Sequence, residues 1–169
     1  MVEADFLFTV AEVAAAFVGF STLVVVVQQR LTGTRVALVT TRLMAMLRQS
    51  LMAILFCFVP FLPEYAGLSS AVAWRLSSAL FCFVWLIYYI GILLSARAQG
   101  YLPGSSTLNR VNVFAVHPLA IVALGLGALG LWGDKAELVY LCCILGILYL
   151  CGFLFLQQVA AIANDPPAV

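Results

Sequence analysis

Charge is what this sequence has least of: eight Lys and Arg and seven Asp and Glu in 169 residues, or 9%. Soluble domains carry about 25%. With 65% hydrophobic residues and a mean hydropathy of +1.15, the chain has too little polar surface to stay dispersed in water. It reads as an all-α integral membrane protein. Histidine is as scarce, His117 being the only one, so one chain holds no His pair for haem and no metal-ligand spacing. No Lys falls inside an apolar run, which excludes a retinal Schiff base. Cys57, Cys82, Cys142, Cys143 and Cys151 all lie in apolar runs and form no C-x-x-C pair. They read as free thiols acting as small hydrophobes, without metal or disulfide. The N-terminus is acidic (Glu3, Asp5) and lacks a basic n-region, so the first apolar run reads as retained rather than cleaved. Nucleophile motifs, internal repeats and polar stretches long enough for a soluble domain are missing too. Basic residues are scattered rather than clustered. These absences point away from an enzyme, a cofactor and a nucleic-acid partner.

What is there is five apolar runs, each near the ~20 residues a helix needs to cross the hydrocarbon: Phe6–Gln28, Leu43–Leu62, Ala71–Leu94, Val111–Leu131 and Leu138–Leu156. They make one transmembrane domain over residues 1–169. The last two runs are divided only by "WGDKAE" (132–137), whose three charges and glycine suit a tight hairpin. With five spans, one side receives Glu3, Asp5, Glu64, Asp134 and Glu137 against Arg75 and Lys135. The other receives Arg30, Arg35, Arg42, Arg97 and Arg110, with Arg48 just inside and Asp165 as its only acid. Short basic loops stay cytoplasmic. The N-terminus is therefore expected outside and the C-terminus inside, in a cell inner membrane. Tyr65, Trp74, Trp132 and Tyr140 fall near the outer border and Tyr101 near the inner one, as interfacial aromatics do.

"GLGALG" (125–130) matches G-x-G-x-x-G, but the dinucleotide fingerprint requires a βαβ unit that a membrane span cannot supply. The glycines read instead as a close-approach face, with Ala123 and Gly127 as a small-xxx-small pair that Gly130 extends. The first run carries a second stripe. Asp5, Glu12, Gly19 and Val26 are spaced by seven, almost two helical turns, and Thr22 flanks them. Two readings stand. Glu12 is protonated or paired, Arg75 being the obvious partner. Alternatively, several copies of this helix surround an axis, Glu12 forming a cation-attracting ring, Gly19 and Thr22 a neck, and Val26 an apolar constriction.

A polar cluster is expected at the inner side: Arg48, His117, Tyr88 with Tyr89, and Gln157 with Gln158. It reads either as a site for an anion or lipid headgroup, or as a snorkelling Arg48 beside a Pro118 kink whose freed carbonyl His117 satisfies. Pro60 should bend the second span within its last turn, and Pro63 should stop it.

The segments "AEVAAAFVGFSTLV", "MLRQSL" and "AWRLSS" loosely resemble small bacterial membrane proteins without assigned activity, over the first half of the chain, and imply no mechanism. The acidic-to-basic order along the first helix is similar in logic to pore helices of some calcium-selective channels, from which orientation and span number differ. The expected function is a homo-oligomeric ion channel lined by the first helix. The alternative is a non-conducting scaffold that recruits a cytoplasmic protein through Arg35, Arg42, Arg97 and Arg110. Membrane lipids are the remaining expected partners.

Overall fold

Hydrocarbon offers no hydrogen bonds, so a spanning chain bonds its backbone to itself, which the α-helix does completely. The computed structural model describes the backbone of residues 2–32, 36–98 and 110–163 and contains no strand among them. Helix α1 is Val2–Thr32, α2 is Val36–Phe58, the short α3 is Phe61–Tyr65 and α4 is Ser70–Ala98. A π-helical turn, Asn112–Val116, leads into α5 (His117–Ala128), and a 3-10 turn, Gly133–Lys135, into α6 (Ala136–Ala163). Four segments are long and apolar enough to cross a membrane: Ala4–Val24, Leu43–Tyr65, Ser70–Ala98 and Gly133–Gln157. Asn112–Ala128 is apolar but shorter. These helices fit a multi-pass membrane protein.

The chain divides into two compact units. The first contains residues 1–57 and 147–169. In it α1 turns Leu7, Val10, Ala11 and Ala14 inward, the i, i+3, i+4, i+7 spacing that buries one helical stripe. Phe17 meets Phe155 of α6 edge-on at 6.3 Å, with Gly152 beside the Phe17 ring. The second unit contains residues 58–146. There Trp74 and Phe81 of α4 pack edge-to-face on Tyr140 of α6 at 5.4 and 5.3 Å, and Trp85 continues the stack from Phe81 at 5.2 Å. Trp74 and Tyr140 are therefore core residues, whereas Tyr65 and Trp132 are exposed. An aromatic at interfacial depth serves packing equally well when its helix face turns inward.

Prolines and glycines set the breaks. Helix α2 ends at Phe58 and the chain restarts as α3 with Pro60 as its N-cap, because Pro60 has no N–H to give the preceding turn. Pro63 does not stop the chain. It sits in the first turn of α3, where its N–H would be unbonded anyway. The stop comes at Gly67, φ +81°, where Gly67 N–H bonds Glu64 O and Leu68 N–H bonds Pro63 O. Helix α5 ends the same way: Gly130 N–H bonds Gly127 O at 2.9 Å, and Leu131 N–H bonds Leu126 O at 3.0 Å. This is the double bond of a Schellman cap. Gly130, at φ +75°, is thus the cap and not an extension of the small-residue face, which shortens the fourth apolar helix to Ala128. The remaining glycines do face α4: a Cβ on Gly127 would lie 3.2 Å from Ser78 Oγ, and one on Gly125 would lie 3.8 Å from Cys82 Sγ.

Alanine at either cap glycine costs about 1–2 kcal/mol for its left-handed backbone. At position 130 the new Cβ would lie 2.6 Å from Arg75 Cζ, the far end of a flexible, exposed side chain that can swing aside, and at position 67 nothing lies within 4 Å. Gly130→Ala and Gly67→Ala should therefore lower the unfolding midpoint in detergent by similar amounts. A much larger loss for Gly130→Ala, recovered by Arg75→Ala, would show that the guanidinium is held in place.

Candidate functional site

Two regions bring together the residues with chemistry to offer, one in each unit. In the first unit the opposite face of α1 from its buried stripe holds Glu12, Gly19, Thr22 and Val26, all exposed. Glu12 lies about 12 Å along the axis from Ala4, where the apolar segment begins, at 1.5 Å per residue. Thr22 Oγ1 donates to Val18 O at 2.9 Å and keeps its lone pairs outward. Thr9 makes the same bond to Asp5 O at 2.8 Å and is exposed too. Asp5, Thr9 and Glu12 thus form one polar strip at the N-terminal end of that face. Sequence reasoning passed over Thr9, although its i+4 and i−3 spacing to Asp5 and Glu12 marks the strip.

The Arg75 guanidinium, offered as the partner of Glu12, lies in the second unit against Gly130 at the C-terminal cap of α5. A helix C-terminus carries partial negative charge that favours a cation there. Of the expected inner cluster, His117 and Tyr88 come together, with Tyr89, in the second unit. Arg48, exposed, and Gln157, half-buried, belong to the first. The side chains of Arg30, Arg42 and Gln158, and Arg35 and Tyr101 entirely, lie outside the described residues. Arg97 and Arg110 are exposed.

The His117 environment is built by one proline. Pro118 has no N–H for Phe114 O, and its ring crowds that carbonyl. The turn before it widens to a π-helix, in which His117 N–H reaches back five residues to Asn112 O. The same carbonyl takes the His117 ring, with Nδ1 2.8 Å away. A carbonyl only accepts, so Nδ1 carries the proton and Nε2 is left as the acceptor. His117 is 3% exposed, and Nε2 is buried with no hydrogen-bond partner among the described residues. Three rings of α4, at i, i+3 and i+4, enclose the imidazole. Trp85 is perpendicular at 6.1 Å, Tyr88 stacked at 6.4 Å and Tyr89 tilted at 5.7 Å.

A buried polar seam in the first unit was not anticipated. Ser50 Oγ donates to Cys151 Sγ at 3.5 Å, Cys151 lies 3.9 Å from Gln49 Oε1, and Ser21 Oγ lies 3.9 Å from Met46 Sδ while bonding Phe17 O. All five side chains are buried. The signal was the i, i+3, i+4 spacing of Met46, Gln49 and Ser50 on one face of α2. The five cysteines are free, and no group of three or more His, Cys, Asp and Glu able to hold a metal occurs among the described residues. Comparison with known protein families, with curated proteins and with solved structures finds no match for this chain.

Pro118→Ala supplies the missing N–H. The π-turn should then close to an α-turn, moving the His117 N–H bond from Asn112 O to Val113 O and releasing Nδ1. With His117 the only histidine, selective 15N-histidine labelling reads this as a changed Nδ1–H signal. An unaltered signal would show that the proline is not the cause of the π-turn.

Proposed function

We propose that the chain assembles as a homo-oligomer in a cytoplasmic membrane and conducts cations along an axis lined by the exposed face of α1. The observation that carries this reading is the outward placement of Glu12 within an apolar segment while Leu7, Val10, Ala11 and Ala14 fill the inward face. A carboxylate facing lipid near the membrane centre costs about 2.5–3.5 kcal/mol. Facing a water-filled axis shared with other copies, it loses that penalty and gathers cations. Gly19, one turn beyond Ala15, lets copies approach closely. Thr22 presents hydroxyl lone pairs, and Val26 provides the apolar constriction. The charge asymmetry between the two sides supports an N-terminus outside and a C-terminus in the cytoplasm, with Asn112–Ala128 as the fourth of five crossings.

Two measurements follow. Purified protein in liposomes should pass cations, and Glu12→Gln should lower cation uptake about tenfold or more through loss of local counter-ion concentration, with oligomer size unchanged. Conductance and ion ratio identical to the parent would remove Glu12 from the pathway. For orientation, a C-terminal fluorescent-protein fusion should fluoresce and a C-terminal alkaline-phosphatase fusion should stay inactive. The reverse pattern would overturn the threading.

A further inference from the structure

The His117 enclosure lies in the second unit and is independent of the α1 reading. Three features of it bear on what it can bind. The imidazole is oriented by a backbone carbonyl that accepts from both its N–H and its Nδ1. That double bond fixes the tautomer, because the proton is held on Nδ1, and Nε2 becomes an acceptor at a fixed position. Nε2 then has no hydrogen-bond partner among the described residues, although it is fully buried. A buried acceptor left without a donor is costly, and structures with such a group normally supply the donor from water, an ion or a ligand. The third feature is the local backbone, a π-turn, which is rare and concentrated at functional sites.

The surroundings narrow what the donor is. The rings of Trp85, Tyr88 and Tyr89 offer flat apolar faces, two of them within about 31° of the imidazole plane. Neutral walls of this kind favour a neutral, ring-shaped molecule over an ion, and stacking with offset or edge geometry adds to affinity. Tyr88 and Tyr89 are only half-buried. We infer that the His117 enclosure, formed by Trp85, Tyr88, Tyr89 and the π-turn at Asn112, binds the hydroxyl of a neutral, lipid-soluble phenol or hydroquinone through His117 Nε2. The hydroxyl donates to Nε2, and the ring lies against the tyrosines. No electron or proton leaves the ligand in this step; it is recognition only.

The single histidine makes the test direct. Full-length protein, purified on a tag without histidine and held in lipid nanodiscs, is labelled with 15N-histidine. Three probes are added in turn: a decyl-substituted benzohydroquinone kept reduced, its dimethyl ether, and decanol. The hydroquinone should move the Nε2 resonance upfield in a saturable way while the Nδ1–H signal stays in place. The ether, which cannot donate, should bind about tenfold or more weakly and leave Nε2 unmoved. Decanol, a hydroxyl without a ring, should not saturate. His117→Phe keeps an aromatic ring in the enclosure and should abolish the preference for hydroquinone over ether. Tyr88→Leu should weaken hydroquinone binding without changing the histidine tautomer, and it serves where His117→Phe does not fold. Equal binding of hydroquinone and ether, an equal response to decanol, or an Nε2 signal that no probe moves, as a trapped water would give, overturns the assignment.

Discussion

Inside hydrocarbon a backbone N–H or C=O that leaves its helix must find another partner within the protein, and three departures from regular helix among the described residues bring that partner with them. At Gly67 and Gly130 the left-handed residue turns the last N–H groups back onto the final carbonyls. At the π-turn the Asn112 carbonyl receives both the backbone and the ring of His117. Side chains follow the same rule: Trp132 Nε1 donates to Ala123 O at 2.9 Å, Cys82 Sγ lies 3.4 Å from Ile121 O, and Cys143 Sγ lies 3.9 Å from Ala120 O. Two cysteines that look like small hydrophobes in sequence are also weak donors to the backbone of α5.

Because lipid tails are as apolar as leucine, helix association here cannot rest on excluding water and falls to close packing and hydrogen bonds. The two units meet this demand differently. The second uses shape: Gly125 and Gly127 bring α5 close to α4, and the Trp74–Tyr140–Phe81 edge-to-face stack fills the other side. The first uses polarity, with hydroxyl, thiol and carboxamide groups of Ser50, Cys151 and Gln49 meeting across helices. Polar pairs of this kind are worth about 0.6 kcal/mol on average within membranes. They contribute less energy than specificity, since a helix rotated by one residue would strand them.

Hydropathy reads helices well because the bilayer imposes one length and one backbone solution. The apolar segments of α1, α2, α4 and α6 therefore show in the sequence, as does the interruption at Pro60. Helix ends and faces are less legible. Gly127 and Gly130 stand three apart in one motif, yet one packs against Ser78 and the other caps a helix; only φ separates them. Trp74 and Tyr140 have the residue type and depth of a membrane belt but turn inward, since composition at a given depth does not reveal rotation about the helix axis. Pro118 announces a disturbed helix without saying that it is absorbed as one extra residue in the preceding turn. The enclosure of His117 depends on that extra residue, so Tyr88 beside His117 was foreseeable from depth while the orphaned Nε2 was not.

Glu12 and His117 show two opposite ways of keeping a polar group in an apolar setting. His117 is drawn inside, and the protein supplies one hydrogen bond and three aromatic faces, with Nε2 unpaired among the described residues. The price is a π-turn, and the ring is oriented by the Asn112 carbonyl. Glu12 is instead turned away from its own core, where no rearrangement of α1 can cover it without exposing Leu7, Val10, Ala11 and Ala14. The first arrangement is nearly complete within one chain. The second leaves the carboxylate to its surroundings, and in the proposed assembly copies of the same face would give it a water-filled axis.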